Sequence, residues 1–351
     1  YRILGLATAF TRLGFEVYIA TPWGITQYQP NNKIYNQPKG KSPSYYITTG
    51  FVLPLQTLRL LNKEIDLAII EMPSPITKAL SIIPLLKLLK IPVVIDFADL
   101  WWKIDDNYYY KKIAEYLAKM QVKSSILVTS LSKLILNYFK EINVIRTLYI
   151  PMGVDTDLFK PRDKYIEYLV GFLGGFNERN GSKLIIPMLK SLSKEKDVKD
   201  IKIMLVGSGE DLDYIIREAR NLELNNKLIV LGPLPRSKIP EYLSMAQILV
   251  APYKESFELH FIFPTKVPEM LALRRPVITA RLFEIITTFR VGHELLVSKY
   301  DPESYANNIK YLIQNKDLAN KLAENGYKKV ISELTWEKLA LKLLTHVESD
   351  K

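Results

Sequence analysis

The chain has 351 residues, 48% hydrophobic and 24% charged, enough apolar material for two α/β cores of ordinary size. It contains no cysteine, which excludes disulfides, thiolate metal sites and thiol nucleophiles, and its three histidines (His260, His293, His346) are too dispersed to share a metal. The formal charge of +11 favours phosphate-rich partners such as nucleotides or anionic lipid headgroups, and with no base-reading motif beside it nucleic acid is not an expected partner.

In chain order, Ile3, Leu6, Ala7, Phe10 and Leu13 recur at helical spacing with Gly14 as a stop, and Phe15 to Ala20 then reads as a strand. An α/β domain of this kind ordinarily opens with a strand and a Gly-rich turn, and Tyr1 is not an initiator Met, so a first strand is expected to be missing from the sequence. Buried strands follow at Asp66 to Ile70, Pro92 to Phe97, Ser125 to Thr129 and Arg146 to Ile150. Segments with helical spacing, among them Ile76 to Leu89 and Tyr109 to Ala118, separate them. This alternation predicts a parallel sheet with helices on both faces.

A second series runs through Tyr168 to Phe172, Ile201 to Val206, Leu228 to Leu231, Ile248 to Ala251, Pro276 to Thr279 and Leu295 to Val297. Between the two series lies Pro151-Met152-Gly153-Val154-Asp155-Thr156-Asp157-Leu158-Phe159-Lys160-Pro161, with the prolines and glycine of an interdomain connection. The predicted organisation is therefore an α/β domain over residues 1–150, a second over 151–335, and a final helix at 336–351 that packs back across the junction. Two facing sheets of this type would bind ligands in a cleft at the carboxyl ends of their strands.

Several ordered motifs carry a family resemblance. Gly153-Val154-Asp155 with Phe159 and Pro161, Val206-Gly207-Ser208-Gly209-Glu210, Leu231-Gly232, Val250-Ala251-Pro252-Tyr253, Pro264-Thr265-Lys266-Val267-Pro268-Glu269 with Pro276-Val277-Ile278, Glu284, Gly292, Asp301-Pro302-Glu303 and Thr335-Trp336 follow one another at family spacing. Together they resemble the retaining, nucleotide-sugar-dependent glycosyltransferases of family four, whose GT-B fold consists of two facing Rossmann-like domains. The resemblance is dense from about residue 146 to 345 and loose before it.

The resemblance implies a glycosyltransferase of glycan or glycolipid assembly that takes a UDP-, GDP- or ADP-sugar, with no metal and no other cofactor. A nucleotide-sugar epimerase of the same fold and a non-catalytic sugar-nucleotide-binding protein are the alternatives. In this reading Lys266 supplies a cation to the leaving diphosphate, seated on the helix that opens at Pro268-Glu269. Glu269 would accept hydrogen bonds from the ribose diol, a task suited to a carboxylate's two oxygens; favouring a first helical turn is its other explanation.

Thr265, Gly174, Gly175, Gly207, Gly209 and Gly232 complete the expected donor site, although the Gly-x-Gly pair can equally be a plain turn. Arg179 is the available cation where the family usually carries an Arg and a Lys-Gly, because Asn180-Gly181 replaces the latter. Phe261 occupies the place of an earlier family glutamate, for which Glu255 or Glu258 are substitutes.

On the acceptor side the resemblance points to Asp99, Trp101 and Ser130, with Asp99 orienting an acceptor hydroxyl and Trp101 or Trp102 stacking on a sugar face. Helix capping by Asp96 or Asp99 and core packing by the tryptophans are the alternatives. Asp155-Thr156-Asp157 reads as connector rather than a metal motif. No stretch has the roughly 18 uninterrupted apolar residues of a membrane span, so a cytoplasmic protein is expected. Lysines interrupting the apolar run from Leu80 to Ile95 suggest contact with an anionic membrane there, with a helix buried against the sheet as the alternative.

Overall fold

The computed structural model describes residues 2–21, 24–30, 58, 63–71, 82–100, 108–144 and 146–349. It divides into two units, Tyr1–Pro151 with Trp336–Lys351, and Met152–Thr335. In the first unit α1 (Arg2–Arg12) buries Leu6, Ala7, Ala9 and Phe10. It is followed by Gly14, whose φ of 93° a side chain would disfavour.

β1 (Tyr18–Thr21) pairs antiparallel with β2 (Gly24–Gln27) in a separate two-stranded sheet. This departs from the parallel strand expected at Phe15 to Ala20. Only two residues join β1 to β2, enough for a hairpin, whereas a parallel crossover takes a dozen or more.

The parallel sheet of this unit has the order β3 (Ala68–Glu71), β4 (Val93–Phe97), β5 (Leu127–Ser130), β6 (Thr147–Tyr149). β4 and β5 are buried along their whole length, which explains their unbroken apolar character. α2 (Ile82–Leu88) turns Ile82, Ile83 and Leu86 inward, and Leu88 alone of its large apolar residues stands clearly exposed. The described part of the lysine-interrupted segment is thus mostly a packed helix. α3 (Tyr108–Val122) precedes β5, and α4 (Lys133–Glu141) is capped by Ser132, whose hydroxyl accepts the Ile135 N–H.

The second unit contains one six-stranded parallel sheet made of β7 (Ile166–Leu173), β8 (Lys202–Val206), β9 (Leu228–Gly232), β10 (Ala246–Ala251), β11 (Val277–Ala280) and β12 (Leu296–Ser298). Their spatial order is β12-β11-β10-β7-β8-β9. Counted within the unit this is the doubly wound order 3-2-1-4-5-6, so the winding reverses between β7 and β10.

α5 (Ile185–Ser193) and α6 (Leu212–Asn221) follow β7 and β8, α7 (Ile239–Leu243) follows β9, and α8 (Lys266–Ala272) follows β10. α9 (Phe283–Thr288), α10 (Pro302–Gln314) and α11 (Lys316–Glu333) complete the unit. Ile185, Leu189, Ile203, Val250, Tyr305 and Ile309 belong to one continuous core between the sheet and its helices. In the connector, the Asp155 carboxylate accepts the N–H groups of Asp157 (3.1 Å) and Leu158 (3.2 Å), closing an Asx turn.

α12 (Trp336–Glu348) packs on α1. A Cβ added at Gly5 would lie 2.1 Å from the Trp336 ring, so glycine is what allows the two helices to approach. Arg12 and Glu337 (2.6 Å), and Lys342 Nζ with the Tyr149 carbonyl (2.9 Å), tie the same helix to this unit. No helix among the described residues is long and apolar enough to cross a membrane.

Candidate functional site

Where neighbouring strands of a doubly wound sheet send their connections to opposite faces, their carboxyl ends leave a crevice. In the second unit that place lies between the ends of β7 and β10. β7 runs out into Gly174, with φ 137°, whose N–H donates to the Val206 carbonyl at 3.1 Å. β10 runs out into Pro252, Tyr253 and Lys254, and the Lys254 N–H donates to the Arg179 carbonyl at 3.0 Å, joining the two strand ends.

Lys266 reaches into this place from the start of α8. Its Nζ donates to the Leu173 carbonyl at 3.1 Å and lies 4.7 Å from the centroid of the Tyr253 ring. A Cβ at Gly174 would come within 2.9 Å of that ammonium, so glycine there leaves room for it. Burial lowers the Lys266 pKa to about 8, and among the described residues no carboxylate pairs with it. The helix begins at Lys266 with Thr265 as its N-cap, rather than at Pro268-Glu269 as expected. Pro268 is accommodated one step deeper because N–H groups of a first turn have no intrahelical acceptor to lose. Thr265 is exposed, and its side chain makes no capping hydrogen bond.

Glu269, in the same turn, is held by Arg236 in an ion pair. Burial raises its carboxyl pKa, and Arg236 opposes that shift. The guanidinium carbon of Arg236 sits 5.2 Å from the ring centroid of Phe159, a connector residue that is itself buried. Neither composition nor spacing singled out Arg236. It lies in the turn after β9, and nothing local marks it.

The segment after β7 folds as a capped turn: the Asn177 side chain accepts the Asn180 N–H at 3.0 Å, and Asn180 Nδ2 donates to the Gly175 carbonyl at 2.9 Å. Arg179 is exposed on it without an ion-pair partner among the described residues. Its charge is felt by the buried Tyr253 phenol, whose pKa burial raises. Glu178, Arg179, Lys254, Ser256, Glu258 and Leu259 line an open pocket beside it.

Within that pocket Glu178 pairs with Lys254 at 2.6 Å, which lowers the Glu178 pKa. The Glu258 carboxyl is lowered by its own backbone N–H and by Ser256. Phe261 is half-buried and packs edge-on to Phe257, with centroids 5.2 Å apart. Of the two substitutes for Phe261, Glu258 lines the pocket with Arg179 and Glu255 does not.

Two of the remaining glycines have a packing explanation. A Cβ at Gly207 would meet the Gly174 carbonyl oxygen at 2.0 Å, and one at Gly209 would meet the Phe176 oxygen at 2.2 Å. These two residues let the turn after β8 close against the turn after β7, so the Gly-x-Gly pair shapes the crevice from behind. Gly232, with φ 69°, accepts the Gly207 N–H and has open space around its missing side chain. Gly175 likewise has no atom nearer than 3.5 Å to an added Cβ, so protein packing does not require it to be glycine.

In the first unit Asp99 is exposed just beyond the carboxyl end of β4. Ser130 is buried. Its hydroxyl donates to the Phe97 carbonyl at 2.7 Å and accepts the Ser132 N–H at 3.1 Å, which ties β5 to β4. Among the described residues Asp96 caps no helix: Arg2 holds it through Nε at 2.6 Å and Nη2 at 2.8 Å, and Thr129 donates to it at 2.6 Å. Trp101 and Trp102 lie outside the described residues.

Comparison with known proteins bears on the family and the fold. The family model described as glycosyl transferases group 1 matches residues 154–329. The uncharacterized glycosyltransferase MJ1178 of Methanocaldococcus jannaschii is 26% identical over 233 residues, covering 64% of this chain and 60% of that relative. Two solved structures share the fold: HepE of Anabaena in complex with UDP, with TM-score 0.67 and 15% identity over 85% of this chain and 82% of that one, and sucrose-phosphate synthase of Thermosynechococcus elongatus, with TM-score 0.69 and 17% identity over 98% and 91%. The fold class is GT-B, as expected, with two Rossmann-like α/β units. The chain belongs to the group 1 glycosyl transferases.

Proposed function

We propose that this chain transfers a sugar from a nucleotide-diphosphate sugar to an acceptor hydroxyl, with retention of anomeric configuration, in glycan or glycolipid assembly. The observation that carries the proposal is Lys266: a desolvated ammonium at the winding reversal, with a carbonyl and an aromatic face around it and no carboxylate pairing with it among the described residues. A cation so placed is completed by an anionic ligand, and a diphosphate beside Gly174 would meet it directly. Arg179 adds a second, exposed charge at the rim. Glu269, held by Arg236, has an oxygen to offer to a ribose diol.

In the transfer, the bond from the anomeric carbon to the diphosphate oxygen breaks with its electron pair on the phosphate. The acceptor oxygen bonds to the same face of that carbon, and its proton passes to the departing phosphate. The protein's part is to stabilise the growing negative charge through Lys266 and Arg179. Asp99 in the first unit serves to orient the acceptor hydroxyl. UDP is the first nucleotide to try, because HepE was solved with UDP bound.

Calorimetric titration of UDP, GDP and ADP into the wild type, Lys266→Ala and Glu269→Ala is the direct test. Micromolar binding of one nucleotide, weakened at least about tenfold in both variants, is expected, since each charge-assisted contact contributes on the order of 1.5–3 kcal/mol. Equal affinity in all three proteins would sink the site.

A further inference from the structure

α3 carries a feature that nucleotide chemistry does not use. Tyr109, Ile113, Tyr116 and Met120 are 78%, 55%, 63% and 52% exposed. They stand at i, i+4, i+7 and i+11, which places all four in one line along the helix. The opposite side is packed, with Ala114, Ala118 and Val122 buried. The sequence alone shows helical spacing here and gives no sign that a second apolar row faces outward.

Exposed Lys112 and Lys123 border this row on the same flank. The sequence of this half has the same sign: residues 1–150 hold 18 Lys and Arg against 10 Asp and Glu, a net +8 of the chain's +11. An exposed apolar row of this kind is the mark of a contact surface. Two features choose between a protein and a bilayer. The row consists of two tyrosines, an isoleucine and a methionine, and tyrosine rings with a polar tip suit the headgroup level rather than a dry core. Its lysine border and the excess positive charge match an anionic surface.

We propose that α3 is an interfacial helix that lays Tyr109, Ile113, Tyr116 and Met120 into an anionic lipid surface, with Lys112 and Lys123 at the phosphate level. The contact moves from the run Leu80 to Ile95, whose described helix is mostly packed inward, to a helix one sheet strand further along the chain. It does not rest on the donor reading, because the nucleotide site lies in the other unit.

Vesicle sedimentation of the full chain tests it, with vesicles of phosphatidylcholine alone and of phosphatidylcholine with about a third phosphatidylglycerol. The wild type is expected to bind the anionic vesicles only, and to be released by salt. Ile113→Glu with Tyr116→Glu should lower the partition at least about tenfold, and Lys112→Ala with Lys123→Ala about 30-fold, each basic residue near such a surface being worth roughly fivefold. Nucleotide affinity is expected unchanged in both.

Equal partition of wild type and variants, or no binding of the wild type to anionic vesicles, overturns the proposal. So does a wild-type dimer that ignores vesicles and becomes monomeric in the glutamate variant, which would assign the face to a second copy. The lysine variant decides the outcome even where the glutamate variant loses its fold.

Discussion

Arg236 and Glu269 form an ion pair between residues 33 positions apart in sequence, and the same guanidinium rests 5.2 Å from the Phe159 ring centroid. One arginine thus links the carboxylate proposed for the ribose diol to the connector between the two units. Glu269 is half-buried, and its carboxyl would drift further upward in pKa without that partner. Arg236→Gln should therefore weaken nucleotide binding more at the lower of two pH values than at the higher, because the raised carboxyl ionises more fully as the pH rises. A change in folding alone would lower affinity equally at both pH values. Arg236→Lys should restore part of the affinity. Titration calorimetry at the two pH values reads the difference, and an affinity loss independent of pH would remove Arg236 from any positioning role.

Lys266 gives a prediction of opposite sign. Burial lowers its pKa to about 8 from an ordinary 10.5, so the folded state carries a desolvation cost at every pH where the ammonium is charged. That cost is present in full below about pH 8 and disappears as the pH rises from there towards 10.5, where the unfolded chain binds the proton that the folded chain has lost. Lys266→Met should then melt higher than the wild type at pH 7, with the gap closing above pH 9. A bound diphosphate should hold the proton on Lys266, so nucleotide binding near pH 8.5 should take up a proton. Calorimetry in two buffers of different ionisation enthalpy measures that uptake, and zero uptake would place the diphosphate away from Lys266.

Much of this was legible in the sequence, for reasons that can be named. Val93–Phe97 and Ala246–Ala251 are buried throughout, and a strand buried on both faces is an apolar run bounded by polar or proline residues. The block that holds Lys266 and Glu269 stands out in the sequence because the motifs around it keep their order. Arg236 does not, since its partner lies 33 positions away and a turn residue has no periodicity to betray it. The strand order that puts β7 beside β10 was not legible either: every crossover looks alike in sequence, whichever edge receives the next strand. For α3, helical spacing was read correctly from Tyr109 to Ala118, but spacing shows that rows exist and not which row meets the core. The antiparallel pairing of Tyr18–Thr21 was missed because its partner, Gly24–Gln27, contains no apolar alternation to announce a hairpin.

The glycines separate packing from ligand approach. Gly207→Ala and Gly209→Ala each drive a Cβ to within 2.0–2.2 Å of a carbonyl oxygen, at Gly207 with φ of 133° besides. Both should cost on the order of 3 kcal/mol of stability, towards the upper end of ordinary single substitutions. Gly175→Ala places its Cβ no nearer than 3.5 Å to any atom and should leave the melting temperature within a degree or two. If the diphosphate passes close to Gly175, the same substitution should weaken nucleotide binding while stability holds. Thermal melts with and without nucleotide separate the two effects, and unchanged binding in Gly175→Ala would take that residue out of the donor site.

The ion pair of Arg2 with Asp96 is the corresponding structural anchor of the first unit. Both side chains are almost wholly buried, with bonds of 2.6 and 2.8 Å between them, and Arg2 also donates to the Pro151 carbonyl at 2.9 Å. Removing one member leaves the other charged and desolvated. Arg2→Met and Asp96→Leu should each destabilise by about 3–5 kcal/mol, whereas the double substitution should cost clearly less than the sum because it leaves neither charge behind. Thr129, which donates to the same carboxylate at 2.6 Å, limits the recovery, since its hydroxyl loses its acceptor in both variants that lack Asp96. Urea denaturation of the four proteins in the cycle measures the coupling, and strictly additive losses would mean that the pair is not what holds α1 to the sheet.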